Sequence, residues 1–229
     1  MTVAVIAFPG SNCDRDVVYA LQSLGVEARW MWHTEVDLEG VGGVVLPGGF
    51  SYGDYLRSGA LAAHSPAMPA VRRFARDGGP VLGICNGFQI LCEAGLLPGT
   101  LGLNVSRRFQ CSVEHVRVAA APASLRLEPG EVLTLPIAHR EGRYYAPPDV
   151  LAELWRHGQV VLQYADAGGQ VDPAVNPNGS VDNIAGVANR AGNVVGLMPH
   201  PERAMAEWFG SADGRRFFAR WAGAGGTAA

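Results

Sequence analysis

The stretch at 80–91, Pro-Val-Leu-Gly-Ile-Cys-Asn-Gly-Phe-Gln-Ile-Leu, constrains the fold more than any other in the chain. An apolar run short enough to be a buried strand ends in Gly83-x-Cys85-x-Gly87 and passes at once into a helical pattern, which sets Cys85 on a tight strand-to-helix turn. Glycine at 83 and 87 suits such a turn, because the backbone bends sharply and the helix passes close to the strand. A thiol above the first turn of a helix meets unpaired backbone N–H groups, which favour a thiolate nucleophile. The Asn86 N–H would then point to where an oxyanion forms. The same residues also fit a buried structural cysteine, so the catalytic reading needs a base, an orienting group and a second oxyanion donor from elsewhere in the chain.

Residues 2–8 form another continuous apolar run rich in β-branched side chains, the pattern of a strand covered on both faces. Gly10, Ser11 and Asn12 make a turn, and 14–24 carries Val17, Val18, Leu21 and Leu24 at helical spacing. Strands follow at 26–32 and 43–46, the latter breaking on Pro47-Gly48-Gly49; 51–59 is irregular and 68–76 is helical. Short apolar strands alternating with helices predict an α/β fold, a mostly parallel, doubly wound sheet with helices on both faces. In such sheets the ligand crevice lies beyond the carboxyl ends of the strands. The Pro-Gly-Gly turn and Cys85 both fall there, and backbone N–H groups of Gly48 and Gly49 can supply the second oxyanion donor.

From residue 103 the pattern changes. The alternation at 111–119 and the short strands at 131–137 and 160–164 predict antiparallel or edge strands with one wet face. A turn cluster at 172–180 precedes strands at 184–188 and 194–198 and a helix over 205–221. The expectation is one domain over 2–222 and a disordered small-residue tail at 223–229. The tail's Gly223-x-Gly225-x-x-Ala228 matches a dinucleotide loop only formally, since no helix can follow it.

With 48% apolar and 17% charged residues, the 229-residue chain reads as one folded globular domain. A net charge of -3 argues against a nucleic-acid partner. All 18 basic residues are arginine, which removes a P-loop lysine, a kinase-type lysine and a pyridoxal Schiff base. Any step that uses ATP therefore belongs to another chain. The cysteines at 13, 85, 92 and 111 show neither a C-x-x-C pair nor zinc-ligand spacing, and no metal is expected. The apolar start lacks a basic n-region and is too short to span a membrane, so a reducing, cytoplasmic setting without membrane association is expected.

His200 follows the strand at 194–198 within Pro199-His200-Pro201-Glu202-Arg203. A residue before proline is pushed toward extended geometry, and positions i and i+2 of an extended segment face one side. Glu202 is thereby placed to orient the imidazole, and Cys85, His200 and Glu202 make a triad from separate strand ends. A histidine-proline turn is also what a satisfied surface histidine looks like; the elbow at Cys85 favours the triad. His139, among polar and arginine-rich neighbours, is the competing base and is read as a surface-loop residue. Arg107, Arg108 and Phe109 are read likewise, as a loop that contacts a partner or an anionic ligand.

With these motifs in place, the sequence resembles the class I glutamine amidotransferases through Pro47-Gly48-Gly49, Gly83-Ile84-Cys85-Asn86-Gly87-Phe88-Gln89 and His200-Pro201-Glu202. More narrowly it resembles the family of glutaminase subunits of phosphoribosylformylglycinamidine synthases. That likeness rests on Gly10-Ser11-Asn12-Cys13-Asp14, Gly48-Gly49-Phe50-Ser51-Tyr52-Gly53-Asp54, Ala138-His139-x-Glu141-Gly142-Arg143, Asn176-Pro177-Asn178-Gly179-Ser180 and Met198-Pro199-His200-Pro201-Glu202-Arg203.

The resemblance implies a flavodoxin-like amidotransferase fold in which Cys85 forms a γ-glutamyl thioester from glutamine and releases ammonia. His200 would protonate the ammonia and activate water, Glu202 would orient His200, and backbone near Gly48, Gly49 and Asn86 would hold the oxyanion. Gln89 and Phe109 would line the glutamine pocket. The resemblance further implies a separate large synthetase subunit that uses ATP and magnesium on formylglycinamide ribonucleotide, a third small subunit, and no cofactor in this chain. The family loop usually reads Ala-His-Gly-Glu-Gly-Arg, and Arg140 replaces its first glycine here. Two other readings fit the same residues: a cysteine hydrolase or peptidase on a similar sheet, and a catalytically silent regulatory subunit.

Overall fold

The chain is described over residues 1–224 in a computed structural model. Its first part runs through β1 (Thr2–Ala7), α1 (Asp14–Gln22), β2 (Glu27–Trp32), β3 (Gly43–Leu46), α2 (Met68–Arg76), β4 (Val81–Ile84) and α3 (Asn86–Glu93). Next come β5 (Thr100–Gly102), β6 (Gln110–Val118), β7 (Val132–His139), β8 (Arg143–Tyr145), α4 (Pro148–Arg156) and β9 (Val160–Ala165). The last part holds β10 (Ile184–Ala188), β11 (Val194–Leu197) and α5 (Asp213–Ala224). Among the described residues nine strands form one sheet in the order β2-β1-β3-β4-β11-β10-β9-β6-β7, and β5 pairs with β8 in a separate ribbon.

The strands from β2 through β11 in that order are parallel, and those beyond β11 pair antiparallel. The division follows the hydrophobic pattern. β3, β4 and β11 are buried at every residue, as continuous apolar runs require when both faces are covered. β7 instead alternates between half-buried and buried residues, the signature of a sheet with one wetter face. The chain steps from β1 to β2 one way along the sheet and from β3 to β4 the other way. Right-handed crossovers then put α1 and α2 on opposite faces. The reversal lies between β1 and β3, where such sheets open a crevice at their carboxyl ends. An isolated bridge between Ser11 and Gly49 ties the two turns at that point.

The helix expected over 205–221 begins only at Asp213. Residues 207–209 make a single 3-10 turn, Gly210 adopts φ 93° and turns the chain, and the Ser211 hydroxyl accepts the Asp213 N–H at 3.0 Å as a cap. The helix then continues through Ala224, into the stretch expected to be a tail; the remainder of that stretch, 225–229, lies outside the described residues. α4, β5 and β8 had no counterpart in the sequence pattern. Pro147-Pro148 reads as a turn, yet proline at a helix start lacks only an N–H that the first turn does not use. Leu154 is the one fully buried residue of α4, so no broad apolar stripe marks it. Among the described residues no helix is long and apolar enough to cross a membrane.

Candidate active site

Cys85 stands between β4 and α3 with φ 50° and ψ -104°. Positive φ strains any residue that carries a Cβ, and persists only where the surroundings impose it. Here the Cys85 N–H donates to Leu197 O of β11 at 2.8 Å, and its carbonyl accepts the Gln89 N–H at 3.1 Å. A Cβ on Gly87 would lie 1.9 Å from Leu46 O, so α3 can approach β3 this closely only with glycine at that position. Asn86, the first helical residue, presents an N–H with no acceptor inside the helix. Its wholly buried side chain accepts the Ser51 N–H at 3.1 Å and donates to Gln89 Oε1 at 2.9 Å. Gln89 Nε2 in turn donates to Glu141 O at 2.6 Å, which couples the elbow to the loops after β3 and β7.

His200 follows β11 and its Nδ1 lies 2.6 Å from Glu202 Oε1. A carboxylate can only accept, so Nδ1 carries the proton and Nε2 is the nitrogen left for chemistry. Glu202 reaches the ring from a 3-10 turn at Pro201–Arg203, not from a continued extended segment. Both side chains are buried, and His200 Nε2 and Glu202 Oε2 have no hydrogen-bond partner among the described residues. Burial opposes the imidazolium, while the Glu202 carboxylate and the Cys85 sulfur favour it; the balance holds His200 well above its ordinary value. A Cβ on Gly48 would come 2.8 Å from His200 Cε1, so the imidazole rests directly on the Pro-Gly-Gly turn.

Two cavities meet at Cys85, Gly49, Phe50 and Phe109. One, of ≈ 250 Å³, also takes in Cys13, Cys111, His200 and Arg203. The other, of ≈ 400 Å³, is lined by Asp54, Ser58, Gln89, His139, Arg140 and Glu141 and has the size of a small-molecule site. Phe109 is half exposed and its ring lies tilted against Phe50 with centroids 6.4 Å apart, so the loop read as a partner or anion contact stands at the mouth of both cavities.

His139 corrects the surface-loop expectation: it ends β7 and is 3% exposed. The alternation of β7 turns it inward even though Arg140 and Arg143 beside it are exposed. Burial, with His200 nearby, pushes it down to about 4, so it is neutral at pH 7; both ring nitrogens lack hydrogen-bond partners among the described residues.

The structure adds Cys13, which sequence reasoning passed over although it lies inside a quoted motif. Its sulfur accepts from Arg203 Nη2 at 3.0 Å and donates to Asn12 Oδ1 at 3.2 Å. One ligand-type atom from each of Cys13, His200 and Glu202 lies within 4.8 Å of the others, a spacing open to a metal ion. His200 Nδ1 and Glu202 Oε1 are engaged with each other, however, and the Arg203 guanidinium already supplies positive charge at the sulfur. His200 Nε2 and Glu202 Oε2 stay unpartnered among the described residues, but the Arg203 guanidinium at the sulfur opposes a second cation there.

The asparagine-rich motif also has a place. Asn104 Nδ2 donates to His139 O and to Arg108 O, both at 3.0 Å, and its Oδ1 accepts the Gly142 N–H at 3.1 Å. Asn178 Nδ2 donates to Gly142 O at 2.9 Å, and the Ser180 hydroxyl accepts the Tyr144 N–H at 2.9 Å. These buried side chains fix the loop that carries His139, Arg140 and Glu141 to the larger cavity.

A parallel sheet with a strained cysteine at one strand end and a buried histidine–carboxylate pair at the next is the frame of an amidotransferase, and the pattern of the CobB/CobQ-like glutamine amidotransferase domain matches residues 1–221. The chain belongs to the glutamine amidotransferase family. It is 56% identical over 220 residues to phosphoribosylformylglycinamidine synthase subunit PurQ of Thermus thermophilus, covering 95% of this chain and 96% of that one. The protein of the same name from Chlorobium chlorochromatii is 55% identical, covering 95% and 94%. In the solved structure of PurLQS from Thermotoga maritima, a chain 41% identical superposes with a TM-score of 0.86 and covers 97% of each.

Proposed function

We infer that this chain is the glutaminase subunit of a phosphoribosylformylglycinamidine synthase. It hydrolyses L-glutamine to glutamate and supplies ammonia to a separate synthetase chain. The observation that carries the reading is the strained Cys85, set over the first turn of α3 and sharing a cavity with His200, which Glu202 holds from behind. The relatives' name and the PurLQS assembly of the Thermotoga neighbour support the particular synthase.

The Cys85 thiolate attacks the amide carbon of glutamine, and the resulting oxyanion lies toward the N–H groups of Asn86 and of the Gly48-Gly49 turn. Each such donor is worth about a hundred- to a thousandfold in rate. His200, protonated at rest, gives its Nε2 proton to the departing nitrogen, and ammonia leaves as the thioester forms. Neutral Nε2 then takes a proton from water as the water attacks the thioester carbonyl; glutamate leaves and the thiolate returns. Glu202 holds Nδ1–H throughout and offsets the imidazolium charge. Cys13 lines the smaller cavity beside Cys85 and His200, and its sulfur is engaged by the Arg203 guanidinium.

In this reading the large subunit carries ATP and magnesium, a small third subunit completes the assembly, the chain itself needs no cofactor, and the complex is cytoplasmic. Residues 2–222 act as one amidotransferase domain. Cys85→Ser is expected to lower glutamine-dependent synthesis by about a thousandfold or more while ammonia-dependent synthesis by the complex continues. Loss of both in an assembled complex would make Cys85 structural. Cleavage of peptides or esters with no glutamate release from glutamine would favour a peptidase instead.

A further inference from the structure

The larger cavity carries a charge imbalance that the thioester chemistry does not use. Asp54, from the loop after β3, and Glu141, from the loop after β7, both line it. Neither carboxylate has an ion-pair partner among the described residues. Among the described residues Asp54 Oδ1 is buried and accepts no hydrogen bond, while Glu141 Oε2 takes a long contact from the Ser58 N–H at 3.4 Å. Burial raises the Asp54 pKa; a hydrogen bond from Ser58 opposes the rise and the charge of Glu141 adds to it. The third buried group of this wall, His139, is neutral and brings two unpartnered ring nitrogens but no positive charge.

Like charges facing one partly dry cavity are unfavourable until a cation enters between them. The geometry points to Asp54 and Glu141 as the receptor for the α-ammonium group of glutamine, selecting the free amino acid over amides that lack that group. The inference rests on the glutaminase reading and adds its specificity: a glutamine side chain within a peptide carries no α-ammonium and leaves the carboxylate pair unmatched. Arg140, which also lines the cavity and has no ion-pair partner among the described residues, gives the α-carboxylate a cation on the same wall.

The test compares kcat/KM for L-glutamine and for glutaramate, which is glutamine without its amino group, using the full chain assembled with its synthetase. The wild type should prefer glutamine. Asp54→Asn and Glu141→Gln should each shrink that preference on the order of tenfold to a hundredfold, mainly by raising KM for glutamine. Co-elution of each variant with the synthetase chain in size-exclusion chromatography, with an unchanged far-UV circular dichroism spectrum, reports that the variants fold and dock. Equal losses for both substrates, or an unchanged preference in both variants, would overturn the assignment. A wild-type complex that hydrolyses neither substrate would overturn the glutaminase reading itself.

Discussion

Two histidines, one at the end of β7 and one just after β11, are driven in opposite directions by what surrounds them. His200 is raised because Glu202 and Cys85 outweigh its burial, whereas His139, with no carboxylate against it, follows burial and falls to about 4. The His139 shift makes stability depend on pH. Between the ordinary value of 6.5 and the folded value near 4, the unfolded chain takes up a proton that the folded chain refuses. The contribution of His139 is therefore complete above pH 6.5 and is lost as pH falls through the folded value. Between pH 6.5 and 5 it amounts to about 1.5 kcal/mol. Urea unfolding at those two pH values should show the wild type losing more stability than His139→Gln by about that amount. Identical losses in the two proteins would mean that His139 is not buried in its neutral form.

At the scale of elements, the site depends on loops held from beneath. The loop between β7 and β8 has no regular structure of its own, yet it presents Glu141 to the cavity because Asn104 and Asn178 satisfy the backbone groups of His139 and Gly142. Removing Asn104 leaves buried N–H and C=O groups unpaired, at a cost of about 1–3 kcal/mol each before relaxation. Asn104→Ala is expected to raise KM for glutamine several-fold with a smaller change in kcat, since Cys85 and His200 sit on other elements. A fall in kcat at unchanged KM would show that the loop instead serves the chemical step.

Across the whole molecule, α5 joins the two halves of the sheet. Trp221 is fully buried and packs over Gly43 of β3, where an added Cβ would lie 3.2 Å from the indole. At its other end Asp213 Oδ2 accepts the Thr134 N–H of β7 at 2.7 Å, and Arg216 pairs with Glu131 at 3.2 Å. The same helix thus covers a parallel strand and the far antiparallel edge. Trp221→Ala should cost about 3–5 kcal/mol and lower Tm by roughly 10 °C or more, read by thermal unfolding. A shift of less than about 2 °C would show that the halves hold together without this helix.

By itself the sequence determined whatever depends on neighbours along the chain. Continuous apolar runs mark β1, β3, β4 and β11 because strands covered on both faces exclude polar side chains, and Gly83-x-Cys85-x-Gly87 marks the elbow because no side chain fits between α3 and β3. Only the tertiary structure decided what depends on residues distant in sequence. His139 reads as exposed beside two arginines, yet β7 turns it into the core; nothing next to Cys13 in the sequence gives it a partner, yet the folded sheet brings Arg203, from the turn after β11, to its sulfur. Asp54 and Glu141 are 87 positions apart and share a cavity only once β3 and β7 have taken their places. Burial and charge proximity act through space, and the sheet order that sets them is not written in any single stretch of the chain.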